Sequence, residues 1–322
     1  MPSDISTERK IMEILQIMRE SGGVIGSRTI ADKLNERGYS ISERGVRYYL
    51  NLMDKLELTK KVGQVGRIIS EKGMKELEEG FVGYRVGFIL SKIEELIYNT
   101  TFDIINEKGD VIANISYIDK DRFEEFVELI NSIPEYEFIP TRKVAILDED
   151  DVFIPEGKVG IATVCSMTFD GVLVKKGIPV NVMYGGVLRI VNRRPAVFEE
   201  LMGYRGVSMD PMEVFLARKL TSVSSVIQHG EGCVLANIRE VPCTAHEEVV
   251  KIIESMRKAG ISGVAGISEC GEPIFGVSTS QARVSIVVYA GLNIMALVEE
   301  TGIDIQVFPV SIILNISRFR EL

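Results

Sequence analysis

Residues 111-VIANISYIDKDRFEEFVELINSI-133 and 234-VLANIREVPCTAHEEVVKIIESM-256 align without a gap. Val111, Ala113, Asn114, Ile115, Glu124, Glu125, Val127 and Ser132 each recur 123 residues later. In each copy a short apolar run reads as a strand, and apolar residues at helical spacing follow it. A second block lines up 157-GKVGIATVCSMTFDGVLVKKGIPV-180 with 271-GEPIFGVSTSQARVSIVVYAGLNI-294 at an offset of 114, pairing Gly157, Ser166 and Gly177 with Gly271, Ser280 and Gly291. The change of offset implies a longer connection in the first copy, roughly 134–156. Each copy therefore reads β-β-α, loop, β-α and a β-rich end, over about 101–191 and 224–320. Two blocks repeated in one order restrict residues 101–322 to an α+β tandem duplication.

Duplicated halves pack about a pseudo-twofold axis, and their seam is a natural ligand cleft. Two segments are expected to converge there as strand-to-helix corners, 163-TVCSMTFDG-171 and 277-VSTSQARVS-285. Free N–H groups and the dipole at a helix start favour a carboxylate or phosphate. The candidate effector residues are Thr163, Cys165, Ser166, Thr168, Thr279, Ser280 and Arg283, with Cys165 matched to Thr279. Ordinary helix capping by Ser166 and Ser280 is the competing reading. Between the halves, 192-NRRPAVFEELMGYRGVSMDPMEVF-215 reads as an arm or an interface.

Charge separates the rest of the chain from this body. Residues 1–73 hold 13 Lys and Arg against 10 Asp and Glu, net +3, whereas the remaining 249 hold 24 against 36, net −12. A basic head on an acidic body points to a polyanionic partner for the head. Ile11, Ile14, Leu15 and Met18 mark a helix over Ser6–Glu20, closed by Gly22-Gly23. Ser27 is placed to cap a second helix, with Ile30, Ala31 and Leu34 inward, that stops at Gly38. Ser40-x-x-Glu43 has capping-box spacing and opens a third. There Val46, Leu50, Met53 and Leu56 point inward, and Arg44, Arg47, Tyr48 and Asn51 share the outer face. The run 59-TKKVGQVGRIIS-70 reads as a small hairpin around Gly-x-x-Gly. Three helices and a hairpin in residues 1–80 make a winged helix-turn-helix, and residues 81–100 read as a connecting helix.

In that layout the third helix enters the major groove of double-stranded operator DNA, and the hairpin touches the backbone. Candidate DNA contacts are Arg28, Thr29, Ser42, Arg44, Arg47, Tyr48, Asn51, Lys60, Lys61 and Arg67. Arg44 and Arg47 suit guanine edges or phosphates, Asn51 suits adenine, and Lys60, Lys61 and Arg67 sit on the wing. A protein-binding winged helix or a solvated charged face is the bland alternative.

Other chemistries find little support. Cys165, Cys233, Cys243 and Cys270 contain no CxxC pair, which argues against a zinc site or a disulfide framework and fits a reducing, cytoplasmic setting. The N-terminus is polar and unlike a signal peptide, and the longest uncharged run, Val284–Val298, is too short to span a bilayer. No Walker A motif, no GxGxxG after a strand and no metal-spaced His/Cys cluster occurs. Cys165 as a nucleophile would need a base, and the only histidines are His229 and His246. No catalytic residue, metal or cofactor is expected.

Two resemblances refine this reading. GSRTIADKLNERG, SERGVRYYLNLMDKLEL and GQVGRIISEKG resemble the winged helices of prokaryotic transcription regulators. VGIATVCSMTFDGVLVKKGIPVNVMYGGVLRI (159–190) and VSTSQARVSIVVYAGLNIMALVEETGIDIQ (277–306), behind such a head, resemble the NrpR family of archaeal nitrogen regulators. The resemblance covers essentially the whole chain. It implies a repressor of nitrogen-fixation and nitrogen-assimilation genes that binds operator DNA as a homodimer and releases it on binding 2-oxoglutarate. Some members carry two effector domains where this chain has one. For the shorter kind the resemblance implies a second, separately encoded NrpR-type subunit as partner.

Overall fold

Apolar residues three and four positions apart set the first helices. The computed structural model describes residues 5–37, 39–63, 65–83, 88–134, 136–148, 151–152, 154–261 and 263–322. It divides into two compact units, Met1–Val86 and Gly87–Leu322.

In the first unit α1 (Ile5–Ser21), α2 (Ser27–Glu36) and α3 (Glu43–Lys55) precede a hairpin of β1 (Thr59–Val62) and β2 (Gly66–Ile69), then α4 (Glu71–Gly83). Ile14, Leu15, Ile30, Leu34, Val46, Leu50 and Met53 are all 1% exposed or less and form one core. Leu56, expected inside, is 45% exposed just past the end of α3. Ile25 exchanges backbone hydrogen bonds with Arg67 at 2.9 and 3.0 Å, so the wing gains a third short partner. That approach requires a glycine at 66, because a Cβ there would lie 2.3 Å from the Ile25 carbonyl oxygen. Both expected caps shift. Ser42, not Ser40, caps α3 by accepting from Gly45 N–H. Gly26 caps α2 by position, which frees Ser27 Oγ to donate to Glu43 at 2.9 Å. Gly38 lies outside the described residues.

The second unit opens with α5 (Phe88–Asn99). The first half then runs β3 (Asp110–Asp119), α6 (Phe123–Ser132), β4 (Val144–Leu147), β5 (Lys158–Val164), α7 (Met167–Lys175) and β6 (Asn181–Val191). An arm of β7 (Arg194–Gly203), α8 (Pro211–Ala217) and α9 (Val223–His229) follows. The second half is β8 (Gly232–Pro242), α10 (His246–Lys258), β9 (Val264–Ile267), β10 (Arg283–Tyr289), α11 (Asn293–Glu300) and β11 (Ile305–Asn315). The duplication is therefore real, but its unit is β-α-β-β-α-β. The extra first strand is absent in both copies: 103–108 turns back on itself around Asp103, and the second copy has α9 in that place.

The four strands of each half do not form a sheet of their own. One sheet has the order β7-β6-β8-β10-β9 and the other β11-β3-β5-β4, every pairing antiparallel. Each half thus gives its last strand to the sheet of the other. Both donated strands are 11 residues long and change register where they cross, β6 between Val182 and Tyr184 and β11 between Phe308 and Ile312. Val310 adopts φ 45° within the second of these bulges, an unusual conformation for a β-branched residue. The arm strand β7 forms the outer edge beside β6, where Phe198 N–H donates to the Phe275 carbonyl at 3.0 Å.

The second block of the repeat needs correction. β5 and β10 are equivalent, so Lys158 corresponds to Arg283, and the long connection of the second half falls after β9, at 268–282. The Gly and Ser identities that suggested the other register belong to turns, which tolerate insertion, whereas strand register is set by burial. Contrary to expectation, Cys243 and Cys270 form a disulfide with Cα atoms 5.4 Å apart, tying the end of β8 to that connection. Cysteine spacing is blind to a pair 27 residues apart whose partners meet only through the fold.

Candidate functional site

Helix α3 presents Arg44, Arg47, Tyr48 and Asn51 to solvent, and α2 presents Arg28 and Thr29 beside it. Tyr48 is 65% exposed. Lys60 and Lys61 are exposed on β1, and Ser42, also exposed, is engaged as a cap. The cations are not all free. Arg47 pairs with Glu43 one turn earlier at 2.7 Å, and the hydrogen bonds from Arg47 and then Ser27 hold the Glu43 carboxyl below the usual range. Arg67 differs from the other wing cations. Its side chain is 13% exposed and lies on Asp54 at 2.8 Å and on Asn51 at 2.8 Å, inward toward α3.

In the second unit the two halves meet around equivalent asparagines. Asn114 of β3 donates to Thr163 Oγ1 at 3.1 Å and accepts from Val310 N–H at 3.1 Å. Asn237 of β8 donates to Ser166 Oγ at 2.8 Å and accepts from Tyr204 Oη at 2.6 Å. The symmetry extends to the helix starts. Ile112 N–H donates to Thr168 Oγ1 at 3.0 Å, and Leu235 N–H donates to Asn293 Oδ1 at 2.8 Å. Cys165 N–H and Ala290 N–H reach the carbonyls of the same two residues at 2.8 and 2.9 Å. The structural partner of Cys165 is thus Ala290, not Thr279.

Of the two expected corners, only the first exists. Thr163, Cys165, Ser166 and Thr168 do gather where β5 turns into α7. Thr279 and Ser280 instead lie in the loop before β10, and Arg283 opens that strand opposite Pro242, the last residue of β8, whereas Asn237 lies mid-strand opposite Val288. Thr279 Oγ1 bonds Ser285, and Ser280 N–H bonds Glu240. Even in the first corner Thr163 and Thr168 are almost fully buried and hydrogen-bonded within the protein, so they hold the seam rather than a ligand. Burial pushes the Cys165 thiol up to about 12, which removes any thiolate chemistry at neutral pH.

A narrow cleft with about 20 Å³ of free room opens along this corner. Val164, Cys165, Ser166 and Phe169 line one wall, and Ile253, Met256, Arg257, Ile261 and Val264 line others. Its walls are largely apolar, and Arg257 supplies a cation at an exposed position. Behind α7 lies a second, sealed group. Arg239 and Asp170 are both 0% exposed and paired at 2.8 and 3.0 Å. Burial pushes Asp170 up to about 6 against the pull of Arg239. Asp210, at the start of α8, is pushed by burial to about 7.

Arg257, Arg239, Asp170, Tyr204 and Asp210 are not among the residues expected from the sequence. One of them leaves a trace there. Arg239 follows Asn237 by two positions in an apolar strand, so it shares the buried face, where an arginine requires a partner.

Comparison with known proteins fixes the family. Residues 86–321 match the NrpR regulatory domains NRD1 and 2, and residues 12–77 match the ribonuclease R winged-helix domain. The global nitrogen regulator NrpRI of Methanosarcina mazei is 42% identical over 321 residues, 99% of both chains. The global nitrogen regulator NrpR of Methanocaldococcus jannaschii is 33% identical over 316 residues, and this chain spans 55% of its length. A crystal structure titled as a nitrogen repressor-like protein from Methanococcus jannaschii superposes with a TM-score of 0.61 at 26% identity, over 72% of this chain and 97% of that one. A duplicated regulatory body behind a winged helix, matched from end to end, is decisive: the chain belongs to the NrpR family of nitrogen regulators, proteins named for regulation and not for an enzymatic reaction.

Proposed function

We propose that this protein is a DNA-binding repressor of nitrogen-assimilation genes whose grip on its operator is released by a small dianion of the 2-oxoglutarate class. The exposed basic face of α3 beside the lysines of β1 carries the DNA reading. Such a face docks in the major groove while the wing meets phosphates. The cleft beside the start of α7 is the effector site in this reading, and it must open beyond its present volume of about 20 Å³ to admit the dianion, so the effector selects a wider form. The acidic body repels a dianion at long range, so the site must supply local positive potential, and Arg257 together with the α7 N-terminus does so. The repressor acts as a homodimer or with a second NrpR-type subunit, and two of its relatives are nearly twice its length.

One titration tests both parts. A labelled duplex from a nitrogen-assimilation promoter is bound to the full chain, and 2-oxoglutarate is then added. Arg44→Ala/Arg47→Ala flattens the slope of log affinity against log salt by about 0.9 for each phosphate that the variant no longer neutralises. Arg257→Ala leaves duplex affinity unchanged and raises the half-releasing concentration about ten-fold, the scale of one charge-assisted hydrogen bond. An unaltered salt slope sinks the assignment of α3, and an unaltered release curve sinks that of the cleft.

A further inference from the structure

Asp54, next to last in α3, has both carboxylate oxygens occupied by the wing. Thr59 Oγ1 of β1 donates to one at 2.6 Å, and Arg67 Nε of β2 donates to the other at 2.8 Å. The remaining fork of Arg67 reaches one helical turn back and donates to Asn51 Oδ1 at 2.8 Å. A guanidinium has donors and no acceptor. It therefore dictates which end of the Asn51 amide faces the wing: the oxygen must. Nδ2 turns away from β2, on an exposed residue of the recognition face, and among the described residues it has no hydrogen-bond partner. Asn51 is left with one fixed display, an N–H donor beside the second lone pair of Oδ1. The complementary base edge has an acceptor beside a donor, which in the major groove is adenine, N7 beside the N6 amino group.

We infer that Arg67 is a positioning residue for DNA recognition: without touching DNA, it locks the Asn51 amide in the orientation that reads adenine. The inference rests on the DNA-binding reading above. Its rival is the ordinary role of a wing arginine, a direct phosphate contact. The two differ in what they predict. A phosphate contact adds affinity for every sequence and one unit of salt dependence, whereas a positioning residue adds base preference and no salt dependence.

The experiment begins with selection of a preferred duplex from a randomised pool by the full-length wild-type chain. Every single base-pair variant of that duplex is then measured at several salt concentrations. Asn51→Ala identifies the base pair read by residue 51 as the one position where preference collapses. Arg67→Ala is expected to lose the same preference, by about ten-fold, with the salt slope unchanged. Arg67→Lys keeps the charge, loses the fork and does not restore the preference. Adding Arg67→Ala to Asn51→Ala has no further effect on that preference. Asp54→Asn, which alters the brace without removing a cation, also relaxes the preference and covers the case in which Arg67→Ala fails to fold. A salt slope flattened by about 0.9 in Arg67→Ala with base preference intact overturns the positioning role, as does an intact base preference in Asp54→Asn. Should the wild type select no duplex at all, the DNA-binding reading itself falls.

Discussion

Replacing Asp210 with Asn should stabilise the protein at alkaline pH and leave it unchanged in acid. The carboxyl group is 4% exposed, and Oδ1 accepts the Met212 N–H at 2.8 Å as the cap of α8. Asparagine caps as well as aspartate does, so that bond survives the change. Burial raises the folded-state value from 3.8 to about 7. A carboxyl whose value is raised on folding holds its proton more tightly in the folded state. Stability is then full below about pH 4 and is lost as pH rises through about 7. Three units at about 1.4 kcal/mol each set an upper limit of about 4 kcal/mol on that loss. If half of it survives local relaxation, about 2 kcal/mol, the variant melts roughly 4–8 °C above wild type at pH 8. The two should converge near pH 4. Thermal unfolding of the full chain followed by circular dichroism at half-unit pH steps gives the comparison. Parallel curves for the two proteins from pH 4 to 8, or a less stable variant at pH 8, would refute the claim that the ionised carboxyl strains the fold.

Two further outcomes rest on the same geometry. Gly291→Ala would set a Cβ 1.8 Å from the Val164 carbonyl oxygen, where the halves cross; the backbone must move, and urea unfolding should show a loss of about 3 kcal/mol or more. Cys243→Ser opens a loop closed across 27 residues; it should cost about 3–4 kcal/mol in oxidised protein, and a reductant should lower the melting temperature of wild type but not of the variant.

Much of the architecture can be read directly from the residues, because the signals are local. The helices of the first unit follow from Ile14, Leu15, Ile30, Leu34, Val46 and Leu50 at helical spacing, and all of them are buried. The repeat at 111 and 234 likewise marks equivalent strand–helix pairs, down to Asn114 and Asn237 at the seam. Strand partnership is another matter. A period-two pattern tells a strand which face is apolar and nothing about which neighbour it joins, so the exchange of β6 and β11 leaves no mark. The effector corner is half legible for a related reason. Ser166 and Ser280 match as letters, but one precedes a helix and the other precedes a strand. Arg67 shows the same limit on the DNA face: its position on the wing is plain in the sequence, and its inward turn depends on where Asp54 stands at the end of a different element.

The exchanged strands also bear on how such a chain can change over time. A half that surrenders its final strand is not a module, since deleting either copy would leave the survivor with an uncovered sheet edge and a strand lacking its ladder. A lone copy of the unit could meet its hydrogen-bonding needs by trading strands with an identical chain, and the arm from β7 to α9 would then be the splice that joined two such chains into one. The two copies keep equivalent contacts where they cross. Asn114 and Asn237 remain the same residue, and Thr168 and Asn293 still answer the same peptide N–H with different side chains.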